Sequence, residues 1–186
     1  MREVHTDEIT KVVRDLFMDA NCNLGEDVLA AFDHAIEKDE SPVAREVMKE
    51  LKENARIARE ENSPICQDTG LAVLFIELGQ DVHIVGGDFK DAINEGVRQG
   101  YMEGYLRKSA CDPFSRKNTG DNTPAIIHLE IVPGDKIKIM AVPKGGGAEN
   151  MSRVNMLTPA VGIEGVKDFV VNRVKESGSN PCPPTV

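Results

Sequence analysis

The chain has 186 residues, with 31 acidic side chains against 22 basic, a net charge of −9, 40% hydrophobic residues and no tryptophan. That acid excess argues against nucleic acid or an anionic membrane as the main partner, since counterion release needs clustered Lys and Arg. No apolar run approaches the roughly 20 residues that span a bilayer, and the opening MREVHTDEIT lacks the basic and apolar regions of a signal peptide.

The chain is therefore expected to be cytoplasmic. It reads as one domain over residues 1–186, able to bury roughly two thirds of its unfolded surface. Residues 1–61 are helical by period: Ile9, Val12, Val13, Leu16 and Phe17 form one stripe, and Val28, Leu29, Phe32 and Ile36 the next. Ser41-Pro42 starts a third helix, the serine accepting an orphan N–H and the proline tolerating the first helical position. Val43, Val47, Leu51 and Ala55 are expected inside it.

After Ser63-Pro64 the pattern changes. Residues 71–78 form a β-rich apolar run, with residues 82–85 a possible neighbour. Helical spacing returns over residues 89–106, with Ile93, Val97, Tyr101 and Tyr105 at intervals of four. Gly96, Gly100 and Gly104 share that interval, which points to close helix packing. Residues 125–132 and 136–142 predict a hairpin around Val132-Pro133-Gly134-Asp135, a type II turn. Ile137 and Ile139 alternate with Lys136 and Lys138, so one face is buried. Thr158-Pro159 begins a last helix ending near Gly178, with Val161, Val166, Phe169 and Val170 expected buried. The fold class is α+β: an N-terminal helical segment followed by a mainly antiparallel sheet with packed helices.

Three loops carry chemistry-bearing residues. Ile65-Cys66-Gln67-Asp68-Thr69-Gly70 puts a thiol, an amide, a carboxylate and a hydroxyl before the apolar strand, although the same residues also suit a simple turn with Cys66 buried. The segment RKNTGDNTP, residues 116–124, is followed after the hairpin by Lys144-Gly145-Gly146-Gly147. Three glycines can turn their N–H groups into an anion site or remain a flexible loop. In Asn180-Pro181-Cys182-Pro183-Pro184, flanking prolines present the thiol in extended backbone. The four cysteines show no CxxC spacing.

PICQDTG at residues 64–70, NTGDNTPA at 118–125, KGGG at 144–147 and NPCPP at 180–184 together resemble the class I, iron-sulfur fumarate hydratases. The chain is similar to the α subunit of their two-subunit form or the N-terminal domain of the single-chain form, in a group that includes the tartrate dehydratases. The resemblance implies a hydro-lyase of the tricarboxylic acid cycle with a 4Fe-4S cluster held by three cysteines, one iron being open to substrate. Cys66 and Cys182 match two ligand positions, and the third lies in a segment beyond Val186, so the chain is read as a truncated subunit. Cys22 and Cys111 match none. By the same resemblance Asp68 is the acid–base group or the residue that orients one, and Arg107 grips a substrate carboxylate. Gln67, Lys144, Gly145, Gly146 and Gly147 line the substrate site. The expected partners are fumarate and malate, or tartrate in the alternative reading, with a β subunit in an oligomer; the chain alone is expected to be inactive. A reading of another class is a non-catalytic thiol or metal-binding interaction module.

Overall fold

The apolar strand β2, Leu71–Gly79, has hydrophobic side chains on both faces, a pattern that suits a central strand with a partner at each edge. In the computed structural model, which describes residues 1–182, it lies at the centre of a three-stranded sheet. Its neighbours are β4, Ile126–Val132, running parallel, and β5, Ile137–Lys144, running antiparallel. Ala72, Leu74 and Ile76 point to the buried face, where Ile127, Ile137, Ile139 and Ala141 join them. Phe75 faces the other way, opposite His128 and Met140, and stacks on the His128 ring at 4.8 Å. Leu71, Ile126 and Met140 are exposed on that outer face, beside a Lys138–Glu77 ion pair of 3.2 Å.

Two helices cover the buried face: α1, Thr6–Cys22, and α4, Phe89–Glu103. Ile9, Val13 and Phe17 meet Ile93, Val97 and Tyr101, with the Phe17 and Tyr101 rings 5.7 Å apart. Each fully buried side chain of this kind contributes about 1.5–3 kcal/mol. The glycine stripe acts as its spacing predicts. A Cβ on Gly96 would stand 2.6 Å from the Thr10 carbonyl and 2.7 Å from the Val13 Cβ, so α1 crosses at backbone distance. Tyr105 lies outside the helix, 92% exposed and in the left-handed region.

The other helices of the first unit are α2, Glu26–Lys38, and α3, Pro42–Glu61. Ser41 caps α3 by accepting the Ala44 N–H at 3.3 Å, with Pro42 in the first turn, as expected. Its interior differs: Val43 and Val47 are exposed, and Ala55 and Ala58 are the buried residues. The stripe follows the helical period, but α3 packs chiefly on α2, which buries only Phe32.

The strand pairing also differs from the expected hairpin. β4 and β5 do not pair with each other; β2 lies between them. The end of β2 closes the connecting turn, the Gly79, Gln80 and Asp81 N–H groups donating to the carbonyls of Lys136, Val132 and Gly134, each at 2.9 Å. A Cβ on Gly79 would fall on the Gly134 carbonyl, so glycine is required there. Gly134 has the positive φ of 109° that the turn motif predicts. A second, two-stranded sheet pairs β1, Arg2–His5, in parallel with β3, Val82–Val85. The three-stranded sheet is thus mixed and the two-stranded one parallel, rather than mainly antiparallel, within an α+β fold.

Packing divides the chain into two compact units, Met1–Lys144 and Gly145–Val186. The second contains short 3-10 turns at Gly147–Glu149 and Pro159–Val161 and the helix α5, Gly162–Ser177. Gly178 follows α5 as expected. Val161, Val166 and Val170 are exposed rather than buried, and Phe169 is half-buried. Pro183 and Pro184 of the NPCPP motif lie outside the described residues.

Candidate active site

In the first unit the loop of residues 65–70 is tied down at its start. The Ile65 N–H donates to the Asn21 carbonyl at the end of α1 at 2.9 Å, and the Asn54 amide of α3 donates to the Ile65 carbonyl at 2.8 Å. Between that anchor and β2 the chain exposes Cys66 and Gln67, half-buries Asp68 and buries Thr69 and Gly70. The Asp68 N–H points at the Cys66 Sγ at 3.4 Å. Asp68 Oδ1 accepts from the Gly70 N–H at 3.1 Å and from the Ser109 hydroxyl at 3.4 Å. The carboxylate is therefore oriented by its own loop and by a second one.

That second loop, residues 107–111, carries Arg107. Its carbonyl accepts the Thr69 hydroxyl at 2.8 Å, while the residue as a whole is exposed. From below, the Tyr101 hydroxyl of α4 donates to the Thr69 carbonyl at 2.7 Å and lies 3.2 Å from the Gly70 carbonyl. Burial pushes the Tyr101 phenol well above its ordinary value, so at neutral pH it remains a donor.

A third segment, residues 118–124, completes the assembly. Asn118 donates to the Lys108 carbonyl at 2.8 Å and accepts the Gly120 N–H at 2.7 Å. Asp121 accepts the Thr123 N–H at 3.0 Å, the Thr123 hydroxyl at 2.8 Å and the Arg98 Nε at 3.1 Å. Burial works to raise the Asp121 pKa, but these three donors prevail and hold the carboxyl below its usual value. Asn122 is 1% exposed with φ of 63°. Its Oδ1 accepts the N–H groups of Ser109 at 2.7 Å and Ala110 at 2.9 Å, and its Nδ2 donates to the Gly70 carbonyl at 3.1 Å.

Lys144 ends β5 opposite Leu71, one residue past Gly70, so the first unit brings it to the same end of the sheet. In the second unit, Gly145, Gly146 and Gly147 carry no left-handed residue, and Gly146 has φ −76° and ψ −27°. The backbone continues into a 3-10 turn, without the left-handed step that an αR-αL anion nest uses. Gly147 is needed for another reason: Cys182 donates its N–H to the Gly147 carbonyl at 3.0 Å, and the Cys182 Sγ stands where a Cβ would be.

The structure places Cys66, Asp68 and the Arg107 loop, all singled out in the sequence, beside one another. Sequence reasoning missed Tyr101, Thr69, Ser109 and Asn122 as the groups that join them. NTGDNTP was visible as a motif, but polarity alone does not disclose which asparagine is buried.

The donor chemistry for an iron-sulfur cluster is present in part. Cys66 and Cys182 are exposed thiols, and the N–H aimed at Cys66 is of the type that stabilises thiolate sulfur. Cys22 is buried, and that burial, reinforced by Asp19, raises its thiol above the ordinary value; Cys111 is half-buried in a bridge to Asn118. Among the described residues no group of three or more His, Cys, Asp or Glu side chains converges. The two motif thiols fit the chemistry of such a cluster, while Cys22 does not.

An exposed thiol and an oriented carboxylate on one loop, stitched to an arginine-bearing second loop at the end of a sheet, make up the candidate site of the first unit. The family described as fumarate hydratase (Fumerase) matches residues 10–186, and the chain belongs to it. It is 38% identical, over 96% of its length, to a Methanocaldococcus jannaschii protein provisionally named L(+)-tartrate dehydratase subunit alpha, and covers 65% of that protein. It is 34% identical over 98% of its length to the anaerobic class I fumarate hydratase of Escherichia coli, covering 34% of it. For fumarate hydratase 2 of Leishmania major the identity is 32% over 98% of the chain, covering 33% of the relative. The chain therefore spans less than two thirds of the length of these curated relatives.

Proposed function

We propose that this chain supplies part of the active site of a hydro-lyase that hydrates fumarate reversibly to malate. The observation that carries this reading is the joined pair of loops at residues 65–70 and 107–111, in a chain whose family match runs from residue 10 to residue 186. Hydration needs a grip on the substrate's carboxylates and a group that moves a proton at the carbon opposite the new hydroxyl. Arg107 provides the first, since a planar guanidinium meets a carboxylate with two parallel bonds and stabilises charge pushed onto it. Asp68 provides the second, its carboxyl group kept in one orientation by Gly70 and Ser109. Gln67 is exposed beside it for a hydrogen bond to substrate, and Lys144 adds positive potential near a dianion. Gly145, Gly146 and Gly147 offer substrate a side-chain-free approach. Cys66 and Cys182 would hold a 4Fe-4S cluster, which when bound supplies Lewis acidity for water and for the hydroxyl of the hydroxy acid.

The name and coverage of the Methanocaldococcus jannaschii relative favour a second reading, tartrate or another hydroxy dicarboxylate as substrate. In either case the working assembly includes a third cysteine from a segment beyond Val186 and further site groups from a β subunit or second domain, and the chain alone is inactive. The test is to assemble the full protein anaerobically with iron and sulfide and assay fumarate, malate and tartrate in parallel. Cys66→Ser and Cys182→Ser should each lose iron and activity, whereas Cys22→Ser and Cys111→Ser should keep both. Arg107→Lys should raise KM and lower kcat, a loss of about 30- to 1000-fold in kcat/KM if one charge-assisted contact is forfeited. Asp68→Asn should lower kcat far more than it changes KM. Turnover by the isolated chain, or Cys111→Ser losing iron with the fold intact, would overturn the assignment.

A further inference from the structure

Asn122 has no role in the chemistry outlined above, yet its side chain joins every segment of the site in the first unit. Both lone pairs of its carbonyl are used by consecutive N–H groups, Ser109 and Ala110, two and three residues after Arg107. Its amide nitrogen reaches the Gly70 carbonyl, two residues after Asp68. The left-handed φ of 63°, which asparagine tolerates better than most residues, aims the amide inward. At 1% exposure, bulk water does not compete for these bonds. Two direct bonds also link the loops, Thr69 to the Arg107 carbonyl and Ser109 to Asp68. Of these, the Ser109–Asp68 bond is long at 3.4 Å, and the other is a single bond from the buried Thr69 hydroxyl.

We propose that Asn122 is a positioning residue: its buried amide sets the distance between the Asp68 loop and the Arg107 loop, and so the span over which a dicarboxylate is held. The proposal rests on the hydro-lyase reading for its kinetic consequence, but not for its structural one. In catalysis of this kind, a misplacement of about 1 Å costs about 100-fold in rate.

The test uses the full-length protein, assembled with its partner and loaded with iron, with kinetics expressed per intact cluster. Asn122→Gly keeps the left-handed backbone and removes the amide. It should retain iron, lower kcat/KM by about 100-fold and raise KM; a purely structural role would reduce the active fraction and leave KM and kcat per cluster unchanged. Asn122→Asp keeps both accepted N–H bonds but turns a lone pair toward the Gly70 carbonyl at neutral pH. Its deficit relative to wild type should shrink as pH falls and the introduced carboxyl gains a proton to donate. In an Arg107→Lys background, Asn122→Gly should cost less than about a third of its effect in the wild type, because residues acting through one another are non-additive. Amide hydrogen exchange gives the readout that does not depend on activity. Asn122→Gly should speed exchange in both residues 66–70 and residues 107–111, whereas Tyr101→Phe should speed it in residues 66–70 alone. If the wild-type assembly neither hydrates fumarate nor dehydrates malate or tartrate, the functional reading fails and exchange alone decides the coupling. Unchanged exchange in both loops, or wild-type kinetics per cluster in an active Asn122→Gly enzyme, would overturn the role assigned to Asn122.

Discussion

Asp121 is held ionised by Thr123 and Arg98, and this ties the segment of residues 118–124 to α4. A depressed folded pKa has a definite sign: the stabilisation is complete above the unfolded carboxylate value of about 3.9 and is lost as pH falls through the lower folded value. Asp121→Asn should therefore lower the melting temperature at neutral pH and flatten its decline below about pH 4. A thermal-unfolding series from pH 7 to pH 2.5 measures both effects, and an unchanged acid limb would show that other carboxylates govern it. At this scale the sequence revealed residue chemistry better than residue position. Cys66, Asp68 and Arg107 stood out because a thiol, a carboxylate and a guanidinium occurred in recognisable motifs. Asn122 did not stand out, because its importance lies in three backbone segments meeting at one buried amide, and a linear pattern holds no trace of such a meeting.

Among elements, the crossing of α1 and α4 is the tightest contact that the glycines report. Gly96→Ala adds a methyl group against the Thr10 carbonyl and the Val13 side chain. The gain of about 1 kcal/mol in helix propensity is outweighed by overpacking of about 1–3 kcal/mol against backbone that cannot yield. The melting temperature should fall by several degrees, and a rise would mean that the two helices separate easily. The helices and their caps were legible because period and capping are local properties, as Ser41-Pro42 illustrates. Strand partners were not. Residues 125–132 and 136–142 have hairpin patterning and a genuine turn between them, but each strand finds more to bury beside β2, whose two faces are both apolar. The short β1, with only Val4 buried, has no pattern of its own and is made a strand by a partner about eighty residues away. Exposure of Val43, Val166 and Val170 has the same origin: a stripe shows which face can be buried, while neighbours decide whether it is.

The two units differ in what holds them together. The main apolar cluster of the first draws on residues from Val4 to Ala141, so residues 1–144 made alone should unfold cooperatively on heating. Among the described residues from 145 onward none is buried, and α5 has 16 residues, close to the length at which isolated helices are marginal in water. A peptide of residues 145–186 should show weak helical circular dichroism without a cooperative transition. A sharp transition in that peptide, or a broad one in residues 1–144, would reverse the division.

The central place of β2 also sets a timetable for the ribosome. Its parallel partner begins at Ile126 and its antiparallel partner ends at Lys144, so nine apolar-rich residues leave the exit tunnel long before either edge can be paired. During that interval the nascent chain carries a strand with two open edges, the form most prone to pair with another copy. A chain stalled with residue 80 but not residue 126 clear of the tunnel should therefore engage chaperones or aggregate, and that hazard should end once residue 144 is clear of the tunnel.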